Sequence, residues 1–165
     1  MANGTSSCWG NFLSYALQVP DGVENSAIFL EPANTFTIDQ SSGRVAGWGF
    51  QNFGATTIPE SINPDASKST PLVQSIAMSY TQACALKSGA VTCWYSHSGG
   101  LNDHPPDNVT TPTPLNGDVS AITAGYYHAC ALFSNSKVTC WGGDSPGYNA
   151  SAKTVPSDLQ PLISR

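Results

Sequence analysis

The 165-residue sequence predicts an all-β chain of repeated four-stranded antiparallel sheets, and three observations predict it. All four Trp fall in one recurring context: Cys8-Trp9-Gly10, Gly47-Trp48-Gly49, Cys93-Trp94-Tyr95 and Cys140-Trp141-Gly142, at spacings of 39, 46 and 47 residues. Residues 120–132 align without gaps on residues 74–86, and in skeleton on residues 26–38. A Pro recurs between these landmarks, at Pro20, Pro71, Pro114 and Pro156. Self-similarity at such a period marks a repeat architecture.

The alignment divides the chain into the end of one blade (1–25), three full repeats (26–72, 73–118 and 119–160) and the start of a further strand (161–165). Within the third repeat, apolar residues alternate over 119–124 and again over 129–133, which is strand periodicity. Val138-Thr139-Cys140-Trp141 is β-branched and aromatic, also a strand. Turn residues join the last two strands of each repeat: Asn3-Gly4, Ser42-Gly43, Ser88-Gly89 and Asn135-Ser136. The Pro-containing stretches predict a short outer strand, where a missing N–H does little harm. Ile28, Ile76 and Ile122 are expected as equivalent inner-strand core residues, with Trp48, Trp94 and Trp141 buried. No window shows helical period. Four strands per 40–50 residues, with Trp-Gly near a strand end, is the pattern of β-propeller blades.

The cysteines fit that pattern. Cys84 and Cys93 lie on the two arms of one predicted hairpin, and Cys130 and Cys140 on the arms of the next. Facing residues of an antiparallel pair stand close enough for a disulfide after modest tightening. The alternative is two pairs of buried free thiols. Phe36 and Gly47 take the same two positions in the first repeat, so there both cysteines are replaced together. A zinc site does not fit, since Cys-x8-Cys and Cys-x9-Cys lack close ligand spacing.

At these residues the sequence resembles a family. The run Ile122-Thr-Ala-Gly125-Tyr-Tyr-His128-Ala-Cys130-Ala-Leu132, followed by Val138-Thr-Cys140-Trp141-Gly142, is similar to the repeat of the regulator of chromosome condensation superfamily. It is nearest the Cys-paired extracellular branch, which includes crinkly-type ectodomains of plant receptor kinases. The resemblance implies propeller blades over nearly the whole chain, best over 119–142. Trp48-Gly-Phe-Gln-Asn-Phe-Gly and Trp141-Gly-Gly-Asp-Ser-Pro-Gly depart from the family's Gly-Gln-Leu-Gly. Members bind proteins or chromatin, exchange nucleotide on a small GTPase or inhibit β-lactamases. Those functions reside in loops outside the repeat and cannot be carried over residue by residue.

Composition bounds the function. Six Lys+Arg against eleven Asp+Glu give a net charge of −5, which leaves no basic stripe for nucleic acid or anionic lipid. No apolar run is long enough to insert across a membrane. The sequons at Asn3, Asn108 and Asn149, with the paired cysteines, favour an extracellular, secreted location. Asn108 and Asn149 are expected to be exposed, and Asn3 to be the poorer acceptor because it falls in a tight turn.

An enzyme needs converging titratable groups, and this chain is poor in them. His128 reads as a structural hydrogen-bonding residue, with Asn34 and Gln82 in its place in the other repeats. His97, Asp103, His104 and Asp107 read as a solvated loop. No metal or cofactor is implied. Tyr80, Tyr126 and Tyr127 sit at a bend where propeller loops gather, and are candidates for binding or for packing between blades.

The expected function is non-enzymatic: a binding or structural propeller module whose partner is a protein or further blades. The alternatives are a lectin-like module for glycans and a fragment of a secreted enzyme whose site lies elsewhere. Aligned on Trp9, Met1 falls on Phe133, inside a hairpin, and Ile163 falls on Ile122. The expectation is therefore a piece of a larger propeller, with the partner of Cys8 upstream of Met1 and further blades in the same polypeptide.

Overall fold

The computed structural model describes residues 8, 19–21, 23, 26–30, 34–49, 58–63, 72–79, 82–95, 115, 118–125, 128–142 and 154–160. Their regular structure is almost entirely β, in three antiparallel sheets with strands in chain order. The first sheet holds β1 (Ser26–Leu30), β2 (Asn34–Asp39) and β3 (Val45–Gly49). The second holds β4 (Val73–Met78), β5 (Gln82–Lys87) and β6 (Ala90–Tyr95), and the third β7 (Val119–Ala124), β8 (His128–Phe133) and β9 (Val138–Gly142). No helix among them is long and apolar enough to cross a membrane.

Each second hairpin turns at the expected residues. Ser88 (φ 51°) and Gly89 (φ 75°) are both left-handed, the geometry whose twist matches flanking strands. At the β2–β3 turn Gly43 takes φ 65°, and its N–H donates to the Asp39 carbonyl at 2.8 Å. Ser136 (φ 66°) serves β8–β9, where Asn135 Oδ1 accepts from Lys137 N at 3.0 Å. Bulges recur too. Register shifts between Val73 and Ser75, and between Val119 and Ala121, leave Gln74 and Ser120 as equivalent extra residues.

Strand pairing fixes the two faces of every sheet. On the second sheet, Trp94 shares a face with Ala83, Ala85 and Ile76, while Cys84, Cys93, Leu86 and Val91 share the other. The first face packs against Phe36, Ile38 and Val45 of the first sheet. The opposite face packs against Ala129, Ala131 and Trp141 of the third. The sheets therefore stack in chain order, β4 meeting β1 and β2 alike on one side and chiefly β7 on the other, with the second sheet covered on both faces.

One expectation is corrected, and another is not met among the described residues. Ile28, Ile76 and Ile122 do occupy equivalent register positions, opposite Thr37, Ala85 and Ala131. Only Ile76 is fully buried: Ile122 is half-buried and Ile28 is 40% exposed. The reason is the stack, since Ile76 meets the first sheet whereas no described sheet lies over the Trp48 face of the first. The sheets also show three strands, with no fourth among the described residues. Pro20 lies outside any strand, and Pro156 opens a 3-10 turn, Ser157–Leu159, in which Leu159 N donates to the Pro156 carbonyl at 2.9 Å. That bond folds the chain back on itself, which is incompatible with an extended outer strand. Pro71 and Pro114 lie outside the described residues.

The linkers instead supply apolar plugs. Ile62 N donates to Pro59 O at 2.9 Å, a turn like that at Pro156, and the Ile62 side chain is buried between the first two sheets. Asn63 holds it there by accepting from Val45 N at 2.9 Å and donating to Val45 O at 2.6 Å. Leu115 is buried with the second and third sheets, its carbonyl accepting from Val91 N at 3.2 Å.

Candidate functional site

The recurring chemical unit is a cross-strand pair on one sheet facing a Trp from the next. Cys84 stands directly opposite Cys93, and Cys130 opposite Cys140. Both pairs are disulfides, with S–S distances of 2.11 and 2.05 Å. The same register in the first sheet pairs Phe36 with Gly47. A Cβ on Gly47 would come within 2.7 Å of the Phe36 ring, so the aromatic ring fills the space that a second cysteine occupies in the other repeats. Trp94 lies edge-on to Phe36, ring centroids 6.0 Å apart, and Trp141 packs in one cluster with Cys84 and Cys93. Cys8 is a free thiol.

A buried amide completes the unit. Gln82 Oε1 accepts from the Trp141 indole Nε1 at 3.3 Å. It lies 3.9 Å from the Cys84 sulfur, a packing contact, because a disulfide sulfur has no proton to donate. Gln82 begins β5 as His128 begins β8 and Asn34 begins β2. The bends before Gln82 and His128 are closed in the same way, with Ser79 N donating to Gln82 O at 2.8 Å and Gly125 N to His128 O at 2.9 Å. Ser79 Oγ also accepts from Gln82 N at 3.1 Å. Gly125 instead makes room for the imidazole, because a Cβ there would meet His128 Cε1 at 2.4 Å.

The remaining polar groups serve turns. Asp39 Oδ1 accepts from Ser41 Oγ at 2.6 Å, Ser41 N at 3.0 Å and Ser42 N at 2.6 Å. Hydrogen bonding, that of the Ser41 hydroxyl foremost, holds its carboxyl down at about 2. Lys87 Nζ donates to Ser61 O at 3.3 Å, and Lys137 Nζ donates to Asp158 O. Among the described residues no three His, Cys, Asp or Glu gather as a metal site.

Of the candidate site residues, the structure brings together the four cysteines. Tyr80, Tyr126, Tyr127, the sequons at Asn3, Asn108 and Asn149, and the loop residues His97, Asp103, His104 and Asp107 lie outside the described residues. Residue reasoning missed Gln82 as an indole acceptor. The signal was the alternation of Asn34, Gln82 and His128 at one landmark, with every alternative able to accept a hydrogen bond.

Residues 119–147 match the regulator of chromosome condensation (RCC1) repeat. No curated protein matches the chain. Among solved structures, yeast RCC1 (Prp20) bound to Kap60 is similar at 18% identity and a TM-score of 0.55, over 82% of this chain and 39% of that one. Prp20p from Saccharomyces cerevisiae, solved with a study of its binding to Gsp1p and histones, is similar at 16% identity and a TM-score of 0.52, over 77% of this chain and 35% of that one. The CRINKLY WD40 ectodomain of the Arabidopsis thaliana receptor kinase ACR4 is similar at 21% identity and a TM-score of 0.49, over 73% of this chain and 39% of that one. The chain thus spans about two-fifths or less of the length of each. The third sheet lies within the residues that match the RCC1 repeat, the other two share its register, and the stack resembles part of the fold of yeast RCC1.

Proposed function

We propose that this chain is a non-catalytic, protein-binding propeller module of the extracellular space. The observation that carries the reading is the pair of cross-strand disulfides, of which Cys84 is wholly buried. Such bonds persist in oxidising compartments and are rare in the cytosol. A core whose Trp packs on a disulfide is matched to that environment, because reduction would open the packing as well as the bond.

The non-catalytic part is supported by where the polar groups are spent. Gln82 holds an indole, His128 fills the space left by Gly125, and Asp39 closes a turn. The protein-binding part is supported by the fold shared with yeast RCC1, which is solved bound to Kap60. The β4–β5 and β7–β8 bends, where Tyr80, Tyr126 and Tyr127 fall in sequence, are closed by the same hydrogen bond and so repeat at one end of successive sheets.

The test has two arms. Protein from its native host is alkylated before lysis and fractionated, with the expected result that it is recovered outside the plasma membrane, its four paired cysteines oxidised. Recovery in the cytosol with those thiols alkylated would overturn the location. Purified chain is then screened on arrays of extracellular proteins and of glycans. Saturable protein binding is expected, and saturable glycan binding alone would replace the reading with a lectin.

A further inference from the structure

The two residues of the Cys84–Cys93 bond are not alike. Cys84 is wholly buried, in one cluster with Ala129, Ala131 and Trp141 of the third sheet. Cys93 stands opposite it on β6, packs against the same cluster, and is only half-buried. A thiol arriving from solvent therefore meets Cys93 first, and Cys84 is closed to it. This asymmetry does not arise at an end of the stack, because the second sheet has another sheet over each face.

Gln82 is buried beside the closed sulfur. Its Oε1 accepts from Trp141 Nε1 at 3.3 Å and lies 3.9 Å from Cys84 Sγ. In the oxidised chain that sulfur has no proton to give. A reduced Cys84 has one, and an amide oxygen has a second lone pair to receive it. Burial and a facing carbonyl oxygen both oppose a thiolate, so the released Cys84 stays a neutral, hydrogen-bonded thiol. The hairpin does not depend on the covalent bond for its register. The pairs from Gln82–Tyr95 to Lys87–Ala90 hold β5 to β6, and in the first sheet Phe36 faces Gly47 in the same register with no bond between them.

We propose that Cys84–Cys93 is a reversible redox site at the seam between the second and third sheets, opened by thiols in one direction: Cys93 is the sulfur attacked, and Cys84 the sulfur released to Gln82. The incoming thiolate bonds to Cys93 Sγ as the Cys93–Cys84 bond breaks. The electron pair leaves on Cys84 Sγ, which takes up the proton that the incoming thiol gave up. A second thiol then attacks the external sulfur of the mixed disulfide, which releases Cys93 as a thiol and the reductant as its own disulfide. Until then the neutral Cys84 thiol is a poor nucleophile for the reverse step, so the mixed disulfide persists. Unbonded sulfurs need more room than bonded ones, and Gln82 Oε1 then serves an S–H as well as the indole N–H. The state of the bond is therefore felt at Trp141, through which the third sheet rests on the second. This goes beyond the binding role proposed above, since it concerns the seam between sheets and not the loops.

Glutathione is the probe. The oxidised full chain is incubated with increasing glutathione, quenched with acid, alkylated and mapped by peptide mass. The expected product carries glutathione on Cys93 and an alkylated Cys84, with no glutathione on Cys84. In nitrogen-15 spectra of the same series, the Trp141 indole N–H signal should shift in proportion to the Cys84 thiol and not to the Cys130 thiol, and should return on re-oxidation. Far-UV dichroism should stay unchanged while the Cys84–Cys93 bond opens. Glutathione on Cys84 overturns the proposal, as does a Trp141 signal indifferent to the Cys84 thiol. A bond that opens only as the dichroism collapses also overturns it, because the disulfide would then be a structural staple alone.

Discussion

Gln82, His128 and Asn34 open equivalent strands with three different side chains, and at the first two the residue three places earlier suits the side chain. Ser79 suits Gln82, while only Gly125 leaves room for an imidazole. Gln82→His alone should therefore destabilise the chain in urea unfolding, and adding Ser79→Gly should recover part of the loss, a coupling of about 0.5–3 kcal/mol. Additive effects would break the equivalence of the two bends. At Asp39 the carboxyl is lowered from 3.8 to about 2, so its contribution is complete above about 3.8 and fades as the pH falls through about 2. The stability advantage of the native chain over Asp39→Asn should shrink across that interval in acid titration, and a gap that widens there would contradict the assignment. Phe36 and Gly47 answer the cysteine pairs of the other sheets. The double variant Phe36→Cys/Gly47→Cys should form a third cross-strand disulfide, seen as a single titratable thiol, that of Cys8, rather than three.

The strands and their turns were the most legible elements, because period-two alternation and Gly, Asn or Ser at the bends are local signals. The β5–β6 turn makes this quantitative. Ser88 takes φ 51°, a region that costs an L-residue roughly 1–2 kcal/mol and that Asn or Gly visits more readily. Ser88→Asn should raise stability by a few tenths to about 1 kcal/mol without moving the strands, and destabilisation would refute the turn type. The linkers were not legible. A recurring Pro suggested an outer strand, but Pro156, one of that series, accepts from Leu159 N and turns the chain, as Pro59, outside the series, does where Ile62 is buried between two sheets. Nothing local separates a Pro that opens a strand from one that opens a turn. The deciding factor is whether the following apolar residue finds a gap between sheets, and that is a tertiary fact.

At the level of the molecule, the repeat alignment placed Trp48, Trp94, Trp141 and both cysteine pairs correctly because they belong to strands that the three repeats copy. It could not rank Ile28, Ile76 and Ile122, which are equivalent in register but meet different neighbours. Burial in a stack depends on what lies over a residue, and among the described residues only the middle sheet has another sheet over both faces. The account as a whole rests on one contact used repeatedly, a Trp of one sheet seated on the cross-strand pair of the sheet before it. Solution NOE spectroscopy reads that contact directly. Cross-peaks are expected from the Trp94 indole to the Phe36 ring and from the Trp141 indole to the β-protons of Cys84 or Cys93. Indole cross-peaks confined to residues of the same sheet would contradict the stacking order on which everything else depends.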